Sequence, residues 1–226
     1  MRNMKQTARE DVEIYMGQTY ILTGIILNTM PVGEYDKRIT ILTRERGKIT
    51  AFARGARRPK SSLQAATNLF CFGSFEAYEG RSSYTVVKAE ISNYFRELAT
   101  DLDKTYYGCY FLELADYFCQ GKQRLCESVE TGLPDTACTE CGFPFSELVR
   151  VIYELKTLVY FGVYPNVFAC TACGSRENLW CFDEKSNGVM CRDCQPGPAK
   201  YPLDDAALYT MQYIVTAPVE KLYTLQ

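Results

Sequence analysis

Hydrophobic and polar positions along this 226-residue chain change their period near residue 98. Before that point, apolar residues alternate or run in short stretches bounded by turn residues, the pattern of β-strands. Residues 20–27, 38–43 and 48–54 predict three strands. The second and third are joined by Arg44-Glu-Arg-Gly47, where glycine accepts the positive φ of a tight hairpin. Residues 68–78 and 83–91 predict a second hairpin over Glu79-Gly80-Arg81-Ser82. Five strands in about 72 residues, with no long helix, predict a small closed β-barrel. Residues 1–19 are polar and aperiodic, and read as a disordered extension.

From residue 98 the period is helical. Residues 102–119 are nearly all apolar, with Glu113, Asp116 and Gln120 on one stripe, which predicts a helix buried on most sides. Residues 146–161 predict a second helix. Ser146 is its N-cap, and Leu148, Val151, Ile152, Leu155, Leu158 and Val159 are its apolar stripe. Arg150 and Glu154 pair across one turn, Gly162 caps the end and Pro165 blocks continuation. Residues 204–216 predict a third helix, stopped by Pro218. Between the last two lies a cysteine-rich segment, residues 170–194, while residues 121–145 show neither period.

Charge changes this picture more than composition does. The net charge is −2, yet nine of the 25 Lys/Arg and one of the 27 Asp/Glu fall within residues 37–60, a local excess of +8. The nine are Lys37, Arg38, Arg44, Arg46, Lys48, Arg54, Arg57, Arg58 and Lys60. Attraction to phosphate is set within a Debye length, ~8–10 Å, so this local field outweighs the acidic remainder. Cations on a barrel rim beside aromatic residues make a groove for single-stranded nucleic acid. A solvated run on an exposed hairpin is the plain alternative. The loop Arg54-Gly-Ala-Arg-Arg-Pro-Lys60 is the first choice for phosphate contact, because Gly and Pro project its cations free of the strand ladder.

Six of the 11 cysteines form Cys-x-x-Cys pairs: Cys138/Cys141, Cys170/Cys173 and Cys191/Cys194. No signal peptide opens the chain, so a reducing cytosol is expected and paired cysteines read as metal ligands before disulfides. The last two pairs lie 17 residues apart, the spacing of a zinc ribbon. Four thiolates leave no open position for water, so one structural Zn²⁺ per chain is expected on Cys170, Cys173, Cys191 and Cys194. Cys138/Cys141 is locally as good a knuckle but lies 28 residues before Cys170, with a helix between. Cys71, Cys109, Cys119, Cys126 and Cys181 are expected to be small buried hydrophobes.

There is no histidine, which removes Ser-His-Asp and Cys-His nucleophile pairs and His-ligated catalytic zinc. No Walker-type or dinucleotide-binding glycine loop occurs, and no apolar run is long enough to span a membrane. A non-enzymatic, nucleic-acid-binding protein is the reading these residues give. An RNA-binding protein built from a barrel and a zinc ribbon is the alternative, since phosphate contact carries no sugar information. A thiol oxidoreductase is a third class, though the βαβ surroundings of such a site are missing.

Several stretches stand out together. In the amino-terminal part these are Thr23-Gly-Ile-Ile-Leu27, Asp36-Lys-Arg-Ile-Thr-Ile-Leu-Thr43, Gly47-Lys-Ile-Thr50, Ala53-Arg-Gly-Ala-Arg-Arg58 and Ser61-Ser62. In the carboxy-terminal part they are Tyr110-Phe-Leu-Glu-Leu-Ala-Asp116, Phe161-Gly-Val-Tyr-Pro165 and the two knuckles. In this order they resemble the bacterial recombination mediator family RecO. The resemblance implies an α+β chain: an OB-fold barrel over residues 20–95, then an α-helical domain over 98–226 with the zinc ribbon at 170–194. It also implies a cytoplasmic, nucleoid-associated DNA repair protein. Such a protein binds single- and double-stranded DNA, anneals complementary strands and, with RecR, helps RecA load onto DNA coated by single-stranded DNA-binding protein. Three features depart from the family pattern. Residues 1–19 precede its usual start, residues 121–145 replace a helical stretch, and relatives continue past Gln226 with another helix.

Overall fold

A computed structural model describes residues 18–119 and 147–222. The expectations for residues 1–17, the irregular segment, the Ser146 cap, Cys126 and Cys138/Cys141 lie outside them. The chain divides into two compact units, Met1–Leu133 and Pro134–Gln226.

The first unit is a five-stranded barrel closed in the order β1-β2-β3-β5-β4, with β4 returning to β1. Its strands are β1 (Thr19–Val32), β2 (Asp36–Thr43), β3 (Gly47–Ala53), β4 (Phe72–Glu79) and β5 (Tyr84–Asn93). Only β3 and β5 run parallel, over Ala51–Ala53 and Tyr84–Val86. This is the OB-fold arrangement. Alternation along each strand fills the interior: Leu22 and Ile26, Ile39 and Ile41, Ile49, Ala51 and Ala53, Phe75 and Ala77 are all buried there. β1 is longer than its apolar run because its polar far half pairs with β2 out to Val32↔Asp36.

A chain of about 75 residues can close a barrel only if one strand serves both ends of the sheet. β1 pairs with β4 through Thr19–Ile25 and with β2 through Gly24–Val32, with a bulge between Ile26 and Asn28. Where the two ladders overlap, Gly24 lies opposite Gly73 of β4. A Cβ at Gly24 would sit 2.2 Å from the Leu42 carbonyl oxygen, and one at Gly73 would sit 2.2 Å from that of Glu90. Both contacts are with backbone, which cannot swing away.

Between β3 and β4 a four-residue helix, α1 (Leu63–Ala66), plugs the barrel with Leu63 and Ala66. Sequence reading missed it, because one turn of helix shows no period. The next strand accordingly begins at Phe72 rather than residue 68. After β5 come α2 (Arg96–Thr100) and α3 (Leu102–Phe118), the latter capped by the Asp101 carboxylate on the Lys104 amide. Gly108 of α3 lets the helix approach the Phe70 and Leu98 side chains. The expectation of burial on most sides is corrected here. Only Gly108, Phe111, Leu112 and Ala115 are buried, while Leu102, Tyr106 and Tyr117 are about 70% exposed. Many of the apolar residues on that face are tyrosines, whose hydroxyls keep them compatible with water.

The second unit contains α4 (Glu147–Phe161), a three-stranded ribbon, α5 (Asp205–Thr216) and α6 (Val219–Leu222). The ribbon strands are β6 (Leu179–Asp183), β7 (Gly188–Cys191) and β8 (Tyr201–Pro202), in the order β7-β6-β8. The Arg150–Glu154 pair forms at 2.7 Å. Gly162, at φ +71°, ends α4 with the Val163 amide donating to the Leu158 carbonyl. The buried stripe of α4 is rotated from the expected one. Leu148 and Val151 are exposed, whereas Val149, Ile152, Tyr153, Leu155, Lys156 and Thr157 are buried. The rotation follows from Lys156, whose ammonium donates to the carbonyls of Val215 and Ala217 at the end of α5. A cation there answers the negative end of the α5 dipole. Among the described residues, no helix is long and apolar enough to cross a membrane.

The crossing at Gly24 yields a stability prediction. Gly24→Ala is expected to lower unfolding free energy by about 2–3 kcal/mol, because the added methyl meets a carbonyl with no room to move. Chemical denaturation of the full-length chain checks this, and an unchanged midpoint would show that the crossing is not tight.

Candidate nucleic-acid interface and metal centre

Strand register sorts the nine basic residues of the 37–60 window. Lys37↔Ala53 and Arg38↔Phe52 pair at one end of the β2–β3 hairpin, and Leu42↔Lys48 and Thr43↔Gly47 at the other. At a rise of about 3.3 Å per residue, Arg38 and Arg44 stand about 20 Å apart along the strand. The structure therefore divides the basic window between two ends of the barrel.

The hairpin-turn end carries Arg44, Arg46 and Lys48. Lys48 turns onto α3, its ammonium donating to the Asp116 carbonyl at 3.0 Å. Asp116 Oδ1 lies 2.6 Å from the same nitrogen, an ion pair off hydrogen-bond alignment. The Arg46 guanidinium lies 4.5 Å from the Tyr20 ring centroid and 4.0 Å from Glu79 Oε2. Arg44 lies over Phe72 at 5.9 Å. Glu45 shares the turn and accepts from the Thr23 amide. Three cations here meet the carboxylates Glu45, Glu79 and Asp116, so the local field largely cancels.

The opposite end gathers Lys37, Arg38, Arg54, Arg57, Arg58 and Lys60 against Glu34 and Asp36. The β3–α1 loop is pinned to the β1–β2 turn by three contacts. The Gly55 amide donates to Asp36 Oδ1 at 2.8 Å, the Arg57 amide to the Tyr35 carbonyl at 2.8 Å, and Arg57 Nη1 to the Gly33 carbonyl at 3.2 Å. Gly55 sits at φ +67°, the left-handed backbone that turns the loop back. Arg38, Arg54, Arg57, Arg58 and Lys60 are exposed on this rim. An open cleft beside it is lined by Lys37, Arg57, Ser61, Gln64 and Asn68.

Lys37 behaves differently from its neighbours. It shares the inward parity of Ile39 and Ile41, and its ammonium reaches the Gln64 and Thr67 carbonyls and Asn68 Oδ1, the last at 2.9 Å. Burial lowers its pKa from the ordinary lysine value, and the nearby Arg57 lowers it further. Lys37 thus caps the α1 turn. Alternation in the sequence carried that signal. The partnership of Lys48 with Asp116, 68 residues away, left none.

In the second unit, the sulfurs of Cys170, Cys173, Cys191 and Cys194 all lie within 4.8 Å of one another, with Cys173 and Cys191 at 3.6 Å. Tetrahedral Zn–S bonds of about 2.3 Å would place sulfurs about 3.8 Å apart, so the donor set fits the ion. Gly174, at φ +76°, turns the first knuckle, its amide donating to the Cys170 carbonyl. Burial works against ionisation of Cys170. Hydrogen bonds from the backbone of Cys191, Cys173 and Ala172 outweigh it and bring this thiol down to about 6. Cys194, held by Cys173 and Cys191, is pushed up to about 12. All four ionised this close together would need a cation to share their charge, so the cluster is positioned to hold a metal ion. Leu179 and Val189 of the ribbon strands pack against Cys170 and Cys191.

Two family models match the chain, Recombination protein O N terminal over residues 16–95 and Recombination protein O C terminal over residues 137–226. The chain belongs to the RecO family. One relative, DNA repair protein RecO of Alkaliphilus metalliredigens, is 34% identical over 175 residues, covering 76% of this chain and 70% of that protein. The RecO of Symbiobacterium thermophilum is 33% identical over 215 residues, covering 92% and 84%. That of Bacillus pumilus is 33% identical over 185 residues, covering 81% and 72%. The barrel falls within the first RecO match and the four-cysteine cluster within the second.

The other described cysteines are set for packing. Cys71, Cys119 and Cys181 are buried and Cys109 is half-buried. Burial, with Asp116 adding to it, pushes Cys119 up to about 12, and burial also raises Cys71. At pH 8 a thiol with a pKa of about 12 is about one part in ten thousand thiolate. Iodoacetamide is therefore expected to alkylate Cys119 at least about a hundredfold more slowly in folded than in unfolded protein. Peptide mapping against time measures both rates, and equal rates would show that the site is open.

Proposed function

We propose that this RecO-family protein is a non-enzymatic recombination mediator acting on DNA in the cytoplasm, at the nucleoid. It binds single- and double-stranded DNA through the barrel and promotes annealing of complementary strands. With RecR, it assists RecA loading on strands coated by single-stranded DNA-binding protein. The observation that carries the DNA-binding part is the excess of Lys/Arg over Asp/Glu on one barrel rim. Six Lys/Arg stand there against two carboxylates, whereas the other end is nearly neutral. Annealing, RecR and RecA rest on family membership. Of the nine basic residues of the window, Arg38, Arg54, Arg57, Arg58 and Lys60 are the phosphate contacts in this reading. Arg44 and Arg46 are secondary, and Lys37 and Lys48 hold the fold. Cys170, Cys173, Cys191 and Cys194 hold one structural zinc, which supplies cross-linking of the ribbon and no open position for chemistry.

Each phosphate neutralised releases counterions, so log K for single-stranded DNA falls with log salt at about −0.7 per contact. Three to five rim contacts give a slope of about −2 to −3.5. Arg54→Glu with Lys60→Glu is expected to weaken binding to every sequence alike and to flatten the slope by about 1.4, because these groups position the backbone without reading bases. Fluorescence anisotropy over a salt series reads both. Unchanged affinity and slope would move the DNA site off this rim. A matched RNA oligonucleotide that out-competes DNA would point to an RNA-binding function instead.

The metal reading has its own test. Protein purified without chelator is expected to hold about one zinc per chain, lost in Cys170→Ser and retained in Cys138→Ser. Elemental analysis decides it, and loss of zinc on Cys138→Ser alone would reassign the ligands.

A further inference from the structure

The rim carries an aromatic residue that charge counting does not find. Tyr35 stands at the β1–β2 turn and is 40% exposed. The Arg58 guanidinium lies over its ring, 5.2 Å from the centroid. The turn beneath it is held still. Arg57 donates from its amide to the Tyr35 carbonyl and from Nη1 to the Gly33 carbonyl, while Asp36 accepts from Gly55. The neighbouring Glu34 carboxylate raises the pKa of the Tyr35 hydroxyl above the ordinary tyrosine value. An exposed tyrosine on a hairpin tip ordinarily loses such fixing to solvent. Here both neighbouring loops contribute to it.

We propose that Tyr35 is a base-stacking platform that makes this rim favour single-stranded over duplex DNA. The proposal rests on the DNA-binding reading above and assigns the ring a role the phosphate contacts cannot perform. Cations attract the more densely charged duplex at least as strongly as a single strand, so they give no preference for the single strand. A single strand offers unstacked base faces, whereas a duplex keeps its faces inside. Arg58 lies over the ring and Arg57 is tied to the backbone of the same turn, so a strand held by these cations brings its bases to it. The Arg58 guanidinium is itself planar and adds cation–π attraction to a base layered on the pair. On the outer face of the barrel, Arg38 of β2 stands opposite half-buried Phe52 of β3. A stacked base is sequence-tolerant, because every base has a π-face.

The test compares a 20-nucleotide oligothymidine with a duplex of equal length, using the full chain. Tyr35→Ala is expected to weaken single-strand binding at least about fivefold, the lower range for one stacked base. Duplex affinity is expected to stay within about twofold, and the salt slope to stay unchanged, since stacking releases no counterions. Tyr35→Leu, which still covers Arg58 but lacks a π-face, is expected to match Tyr35→Ala. Tyr35→Phe is expected to keep full affinity. Tyr35→Trp adds a fluorophore whose emission, above the Trp180 background, is expected to be quenched by the single strand and unaffected by the duplex. Equal losses for both DNAs, a flattened slope, or full affinity in Tyr35→Leu would show that the ring only props Arg58, and would overturn the proposal. If Tyr35→Ala changes nothing while Arg54→Glu with Lys60→Glu still weakens binding, the platform falls and the DNA reading stands. If neither changes binding, the DNA reading falls.

Discussion

The first unit depends on one crossing, where β1 leaves its ladder with β4 and takes up its ladder with β2. Gly24 and Gly73 face each other there, and each is backed by a carbonyl 2.2 Å from where a Cβ would stand. That approach lets five short strands close on themselves around a core dominated by Ile, Leu and Ala. The cation-rich rim is a by-product of the same closure. Because β1 overshoots the crossing and runs on to Val32, the β1–β2 turn rises beside the β3–α1 loop, and the two tie together through Asp36, Arg57 and Gly33.

Charge on this barrel is governed by position rather than by amount. Arg46 and Lys48 belong to the basic window, yet each has an intrachain anion at hand, Glu79 and Asp116. Exposed pairs of that kind contribute little to stability, on the order of 0–1 kcal/mol. Their larger effect is to remove a field. What remains, of the two ends of the barrel, is an excess of cations at the β1–β2 end, where the field for a negative ligand is the stronger.

Much of this was legible in the sequence, for reasons tied to particular residues. Alternation exposed the five strands because the barrel buries one face of each. The Cys170/Cys173 and Cys191/Cys194 spacing exposed the cluster because two tight knuckles and a short ribbon leave their sulfurs little choice of place. The direction of α4 was less legible: Leu148 and Val151 fit a helical stripe as well as Val149 and Tyr153 do, and the choice was made by Lys156 reaching for α5. Helix α1 was too short to carry a period. The division of the basic window needed strand register, and so was hidden from a count of charges. Lys37 carried a signal in its shared parity with Ile39 and Ile41, but the charge count grouped it with the phosphate contacts.

The ribbon of the second unit is an excursion from a helix pair. It leaves after Gly162 and returns at Asp204, and its two ends are held together by α4 and α5. Ile152, Leu155, Val167 and Ile214 share one core, Lys156 reaches the end of α5, and Gln212 donates to the Val167 carbonyl at 2.8 Å. An excursion whose ends are fixed behaves as a closed loop of about 40 residues. The entropy of such a loop grows only as the logarithm of its length. Opening the metal site would therefore release a tethered loop and leave the helix pair standing. Its four sulfurs would stay at high effective concentration for one another. A metal ion held there would be captured in a local step that can follow folding, and could exchange without the rest of the unit coming apart.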